Sequence, residues 1–219
     1  MKIKQKIQTK IMDKMSLKIL RQINERIEER NFHEQTHVLY DLAELLEQDK
    51  LVYCEIGSYV GSSASLMLEN QKIQKVFCID PLNLNKTHFR GSEGQEKVLN
   101  KNLSKYNKSR YSIFKNYSSD NEVLQFFENN NVKFDILFID GDHSKKAVIN
   151  DFNNYKRFLK TGSFLVFDDY LDFRHSPQVK IAVNHLISQK EVSDDFEIIG
   201  LLNGPALERE YGTFIMRKR

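Results

Sequence analysis

Cysteine, proline and glycine are scarce in this chain, at 2, 3 and 9 of 219 residues. Cys54 and Cys78 are the only thiols, and each lies inside an apolar run. That favours buried, reduced thiols over a disulfide bridge or a zinc site. No stretch approaches the ~20 consecutive apolar residues of a membrane span, and the opening M-K-I-K-Q-K-I-Q-T-K lacks the uninterrupted apolar core of a signal peptide. A cytoplasmic protein without a membrane partner is expected. Charge of one sign is lacking too: 33 Lys and Arg stand against 30 Asp and Glu, a formal net charge of +3. This falls well short of the concentrated basic charge found where phosphate contacts dominate binding, so nucleic acid is not indicated as a partner. Neither G-x-G-x-x-G nor a G-K-[ST] ending occurs, which removes the dinucleotide fingerprint and the P-loop. There is no internal repeat and no low-complexity linker.

What is present is enough for one sizeable core, with 40% apolar and 29% charged residues. Residues 1–50 read as a helical extension. Its first thirty residues carry no proline or glycine and place Ile3, Ile7, Ile11 and Met15, then Leu20, Ile23 and Ile27, at helical spacings, which predicts one long amphipathic helix. Nine basic against four acidic residues give it a solvated basic face, packed on the domain or on a second subunit, so a homo-oligomer is one option. A second helix is expected over 36–47, with Val38, Leu39, Leu42, Leu45 and Leu46 on one face.

From residue 51 onward strands and helices alternate. Strands are read at 51–57, 75–80, 110–115, 136–139 and 164–167, with a closing antiparallel pair at 196–202 and 211–216 divided by N-G-P. Between them lie helices over 96–106, after a capping box at Ser119-x-x-Glu122, along Val148, Phe152, Tyr155 and Leu159, and from Ser176-Pro177 onward. The pattern predicts an α/β domain at 51–219: a Rossmann-like, doubly wound, mostly parallel seven-stranded sheet with a C-terminal antiparallel pair, preceded by the N-terminal helices.

In such a sheet the ligand crevice lies beyond the carboxyl ends of the strands. Gly57 and Gly61, in E-I-G-S-Y-V-G-S-S, fall where the chain must bend sharply and where a ligand approaches backbone N–H groups; a purely structural strand-to-helix corner is the alternative. Asp80 ends the second strand about 20 residues later, placed to hold the two hydroxyls of a ribose. Asn116 and Ser118 reach the same edge. F-D-I-L-F-I-D-G-D-H and G-S-F-L-V-F-D-D-Y add Asp140, Asp142, Asp168 and Asp169. Carboxylates gathered in one cleft repel unless a cation joins them or some take up protons. An all-oxygen set suits magnesium, with Asp142 or His143 taking a proton from a substrate hydroxyl, whereas Asp140 and Asp168 as plain strand-end acids are the alternative. The polar loop 81–94, with His88, Phe89 and Arg90, is long enough to close over a substrate.

These motifs together resemble class I S-adenosylmethionine-dependent methyltransferases: E-I-G-S-Y-V-G-S-S as cofactor loop, V-F-C-I-D-P with the ribose acid, and F-I-D-G-D-H with F-D-D-Y at the late strands. Within that superfamily the late-strand pair is similar to the metal-dependent macrocin-type and rhamnosyl O-methyltransferases. The resemblance implies that Glu55, Gly57, Ser58, Gly61 and Ser63 surround the methionine part of the cofactor. It puts Asp80 on the ribose, Ser118 near the adenine and Asp140 within the cofactor site. Asp140, Asp168 and Asp169 would be metal ligands, and Asp142 the general base. The sequence departs from the group in T-G-S-F before the fifth strand and in D-D where many relatives have H-D. The implied reaction is displacement at the sulfonium methyl by a polarised hydroxyl of a small acceptor, a sugar or glycosylated natural product. A catalytically inactive cofactor-binding partner module is the rival reading. Methylation of nucleic acid is a lesser one, since N-P-P-Y and D-P-P-Y are absent.

Overall fold

The computed structural model describes residues 3–11, 14–27, 34–82, 94–202 and 212–219. Seven strands form one sheet in the order β3-β2-β1-β4-β5-β7-β6: β1 Leu51–Ile56, β2 Ile73–Ile79, β3 Tyr111–Phe114, β4 Phe134–Ile139, β5 Leu159–Phe167, β6 Phe196–Gly200 and β7 Phe214–Lys218. β1 to β5 pair in parallel, and β7 runs antiparallel to both β5 and β6. The seven strands and the antiparallel closing pair are those expected from the sequence. The N-G-P turn between the last two strands lies outside the described residues.

Helices cover both faces. Ahead of the sheet come α1 Ile3–Ile11, α2 Met15–Arg26 and α3 Val38–Leu45; within it come α4 Ser62–Glu69, α5 Gln95–Leu103, α6 Asn121–Asn129, α7 Lys145–Tyr155, α8 Pro177–Ile187 and α9 Lys190–Asp195. Alternation along the strands sorts the core into two layers. Tyr53, Val76, Cys78, Ile136 and Phe138 face α3, α4 and α5, while Cys54, Phe77, Leu137, Leu165 and Phe167 face α6, α7 and α8. Cys54 and Cys78 are both fully buried, and the register of β1 on β2, with Cys54 beside Phe77 and Glu55 beside Cys78, puts them in opposite layers. Among the described residues no helix is long and apolar enough to cross a membrane.

Two local expectations need correction. The long N-terminal helix is two helices, because Lys14 takes a left-handed conformation (φ 58°) at the start of α2. No glycine or proline announces that break. It follows from tertiary packing, with α1 laid on α3 and α2 on α4, where Leu20 and Ile23 meet Val60, Leu66 and Val98. A buried network fastens α2 to α3: the Ser16 hydroxyl donates to Asp41 Oδ2 (2.7 Å) and lies 3.0 Å from His37 Nδ1. The capping box at Ser119 and Glu122 does not form. Asp120 occupies the cap position of α6, and its side chain turns back to accept from the Tyr117 N–H at 3.0 Å instead of capping the helix.

Candidate functional site

The carboxyl ends of β1, β2, β3 and β4 open on a cavity of about 600 Å3, within the range of small-molecule sites. Its lining includes Gly57, Tyr59, Asp80, Ser118, Asp140 and His143. Gly57 (φ 88°) is enforced from below: a Cβ there would lie 1.9 Å from the Asp140 carbonyl oxygen. Gly61 (φ 84°) is enforced by packing, its Cβ position being 2.8 Å from Leu99 Cδ1 on α5. Both glycines thus have a structural reason independent of any ligand.

Asp80 is buried and accepts from the backbone N–H groups of Ser58 (3.0 Å), Tyr59 (2.8 Å) and Leu82 (2.7 Å), and from Gln95 Nε2 at 3.3 Å. It therefore organises the glycine loop from the neighbouring strand. Glu55 is fully buried behind the loop, where its Oε2 accepts from the Tyr53 hydroxyl (2.9 Å) and the Ser63 hydroxyl (2.7 Å). Burial raises its pKa against the lowering effect of those hydroxyl bonds. Glu55, Ser58, Gly61 and Ser63 do not line the cavity, whereas Gly57, Asp80, Ser118, Asp140, Asp142 and His143 do. His88, Phe89 and Arg90 lie outside the described residues.

At the β4–β5 side, one donor atom each from Asp140, His143 and Asp169 fall within 4.8 Å of one another. The His143 Nδ1 lies 2.8 Å from Ser176 Oγ, and that hydroxyl donates to Asp169 Oδ2 at 2.9 Å. Ser176 has one proton to give, so Nδ1–H must be the donor to it. His143 Nε2 makes no hydrogen bond and sits 3.4 Å from Asp140 Oδ1. Burial alone would lower the imidazole pKa, but Asp140, Asp169 and Asp168 outweigh it and raise it to about 9. Asp140 itself is pushed well above the ordinary carboxylate range, first by burial and then by Asp168, against the lowering effect of His143. The ring in this state is a cation shared between carboxylates.

Asp168 acts on this cluster by its charge and has partners of its own. Its oxygens lie 3.3 and 3.4 Å from Gln35 Nε2, and Oδ1 is 3.3 Å from the Thr213 hydroxyl. The group whose donor atoms lie within 4.8 Å of one another thus holds Asp140 and Asp169 of the expected ligands, together with His143. Asp142 is exposed and accepts from the Ser144 N–H at 2.8 Å, at the start of α7.

Three participants escaped the motif reading. Ser176 looks like a helix cap before Pro177, but its hydroxyl is diverted to His143 and Asp169. Gln35 gives no sequence signal, because 133 residues separate it from Asp168. Asp151 did give one: it lies on the buried stripe of α7 with Val148, Phe152 and Tyr155, a carboxylate among apolar positions. It accepts from the Ser118 hydroxyl at 2.5 Å and lines the cavity. Burial raises its pKa from 3.8 to about 6, with the Ser118 bond opposing and Asp142 reinforcing the shift. A carboxyl with a raised folded pKa binds its proton more tightly than the unfolded chain does. Its cost to stability is therefore absent below the unfolded value and complete above the folded one. A rise of about 2 units corresponds to ~3 kcal/mol, so Asp151→Asn should stabilise the ligand-free protein by that order above pH 6 and leave it unchanged near pH 3.5. Urea titrations at several pH values measure this, and a pH-independent difference would refute it.

A family model described as a methyltransferase domain matches residues 54–170, more than half of the chain. The chain belongs to this methyltransferase domain family. Uncharacterized protein R132 of Acanthamoeba polyphaga mimivirus is 41% identical over 184 residues, 81% of this chain and 80% of that protein. Among solved structures, an O-methyltransferase from Bacillus cereus in complex with SAH superposes with a TM-score of 0.59 at 17% identity, covering 93% of this chain and 90% of that one. TomG, an O-methyltransferase from Streptomyces achromogenes in complex with SAM, gives 0.61 at 15% identity, covering 93% and 89%. At such identities the likeness is one of fold. The glycine loop, the strand-end acids and α7 all fall inside the matched methyltransferase segment, whereas Gln35, Ser176 and Thr213 fall outside it.

Proposed function

We propose that this methyltransferase-family chain is an S-adenosylmethionine-dependent O-methyltransferase acting on a hydroxyl of a small molecule, with a sugar or glycosylated natural product as the first acceptor class to test and a divalent cation such as Mg2+ assisting. The observation that carries the proposal is the cluster of Asp140, His143 and Asp169 at one end of a cavity whose other walls are the glycine loop, Asp80 and Ser118. The cavity is large enough for a nucleoside cofactor. Two carboxylates beside one imidazole suit a hard or borderline divalent cation.

In this reading the Gly57–Ser58 backbone holds the amino-acid part of the cofactor, Asp80 faces the ribose and Ser118 the base. The cofactor supplies the electrophilic methyl group, and the cation, when bound, lowers the pKa of the acceptor hydroxyl. Asp140 and Asp169 would hold that cation, with Asp168 behind them. His143 is favoured over Asp142 as proton acceptor: its Nε2 faces the cluster, whereas the Asp142 carboxylate is tied to the start of α7. Its Nδ1–H, fixed on Ser176, sets the tautomer that leaves Nε2 available once the ring is neutral. The chain's remaining task is alignment, since a sulfonium methyl reacts only with a nucleophile in line with the departing sulfur.

Calorimetric titration with S-adenosylmethionine and S-adenosylhomocysteine, with and without Mg2+, tests this. Micromolar cofactor binding, of the order of −8 kcal/mol, is expected, with Mg2+ binding lost in Asp140→Ala and weakened in Asp168→Ala. Cofactor binding without a Mg2+ effect would remove the cation and keep His143. No cofactor binding would overturn the proposal.

A further inference from the structure

The N-terminal extension lies outside the matched methyltransferase segment, yet it reaches both sides of the site. On one side, Leu20 and Ile23 of α2 pack on Val60, which stands between Gly57 and Gly61 in the glycine loop. On the other, Gln35 meets the end of β5: its Nε2 lies 3.3 Å from Asp168 Oδ1 and 3.4 Å from Oδ2, and both residues are 2% exposed. The turn that carries Gln35 is held on either flank. It is a single 3-10 turn, Glu34–His37, between α2 and α3. Arg21 of α2 donates to both Glu34 oxygens, at 2.7 and 3.0 Å, and His37 is fully buried beside Ser16 and Asp41. The Gln35 amide is thereby carried to a carboxylate 133 residues away.

An amide suits that place for a reason of charge. Lysine or arginine would orient the Asp168 carboxylate and also neutralise it, whereas the Gln35 nitrogen spans both oxygens and leaves the negative charge in force. That charge acts on Asp140 and His143 across the cluster. Loss of the donor would loosen a buried carboxylate, and a cation is held well only by ligands whose directions are fixed. Resting on the cation of the function proposed above, we infer that Gln35 is a positioning residue for that site: it fixes the direction of the Asp168 carboxylate at the end of β5. Binding of the cation and docking of α2 and α3 therefore stabilise one another. The N-terminal extension is on this account a working part of the site.

The test is calorimetric titration of Mg2+ into the full chain, saturated with S-adenosylhomocysteine, as wild type, Gln35→Leu, Asp168→Ala and the double variant. Amide hydrogen exchange in α2 and α3 is followed alongside. Gln35→Leu, which removes the donor, should bind Mg2+ about 10- to 100-fold more weakly, and should add little to the loss in Asp168→Ala. Mg2+ should slow exchange in α2 and α3 of the wild type and not of Gln35→Leu. Gln35→Lys pairs with Asp168 and keeps the turn in place while cancelling the charge, so it should weaken Mg2+ binding whether or not the leucine variant folds. Wild-type Mg2+ affinity in a folded Gln35→Leu or Gln35→Lys overturns this inference and leaves the proposed function standing; a lower melting temperature alone would make Gln35 a packing residue. Absence of Mg2+ binding by the wild type, with S-adenosylhomocysteine still bound, overturns this inference and the cation but keeps the cofactor. Binding of neither overturns the whole proposal.

Discussion

Gly57→Ala should cost about 4 kcal/mol or more and abolish cofactor binding, the largest effect expected of any single methyl group in this chain. The added Cβ would sit 1.9 Å from the Asp140 carbonyl oxygen, 2.5 Å from its carbon and 2.9 Å from the Gly141 Cα. These are backbone atoms of the adjoining strand end, which cannot rotate away. The Gly57 N–H donates to the Ile79 carbonyl (2.8 Å) and the Asp140 N–H to the Ile56 carbonyl (2.8 Å), so the crossing point of three strands is fixed on both sides. A positive φ of 88° adds strain for any side chain. Gly94→Ala is the control: its φ of 84° is as unfavourable, yet among the described residues its Cβ would meet nothing within 4 Å, so a loss of roughly 1–3 kcal/mol from backbone strain alone is expected. Urea melts of both variants separate overlap from backbone strain, and similar small losses for the two would refute the account.

Asp140→Asn should lower the transfer rate by roughly 10^2- to 10^4-fold, the usual scale for disabling positioned acid–base machinery. The accompanying pH dependence is more diagnostic. Without a cation, His143 is protonated below about 9 because Asp140, Asp169 and Asp168 outweigh the lowering effect of burial, so in Mg2+-free assays its availability as a base should increase with pH up to that value. Removing the Asp140 charge should bring the inflection down toward the ordinary histidine value of 6.5. The same residue ties into stability with a definite sign. A histidine whose folded pKa is raised contributes stabilisation that is complete below its unfolded value and is lost as pH rises through about 9. The melting temperature of the wild type should therefore fall between pH 7 and 9 by more than that of His143→Gln. A flat rate profile across that range, or one with the same inflection in Asp140→Asn, would remove His143 from the proton path.

The parallel strands were legible because buried strands read as apolar runs, V-F-C-I and I-L-F-I among them, ending in aspartate at the ligand edge. Asp80 and Asp140 could be placed for the same reason. A strand-end acid is fixed by the strand it terminates, and its neighbours in sequence are its neighbours in space. Burial of Cys54 and Cys78 was legible from their apolar runs, whereas their opposite faces depend on the register of β1 on β2, which sets Cys78 beside Glu55. The break between α1 and α2 was illegible because Lys14 has no conformational signature as a residue type, and only the different helices against which α1 and α2 pack demand the turn.

Sequence by itself determined the alternating strands and helices, the closing antiparallel pair and the edge of the sheet at which the acids collect, since each depends on periodicity and on residues close together in the chain. Tertiary structure decided which acids meet. It gave Asp168 to Gln35 and Thr213, Asp169 to Ser176 and His143, and Asp151 to Ser118. Those pairings depend on the direction of side chains at a sheet edge and on segments from 7 to 133 residues away. A carboxylate's charge state is set by the dielectric and the partners around it, neither of which is encoded locally; that is why one motif, D-G-D-H, yields a half-buried acid, an exposed helix-start residue and an imidazole of raised pKa within four positions.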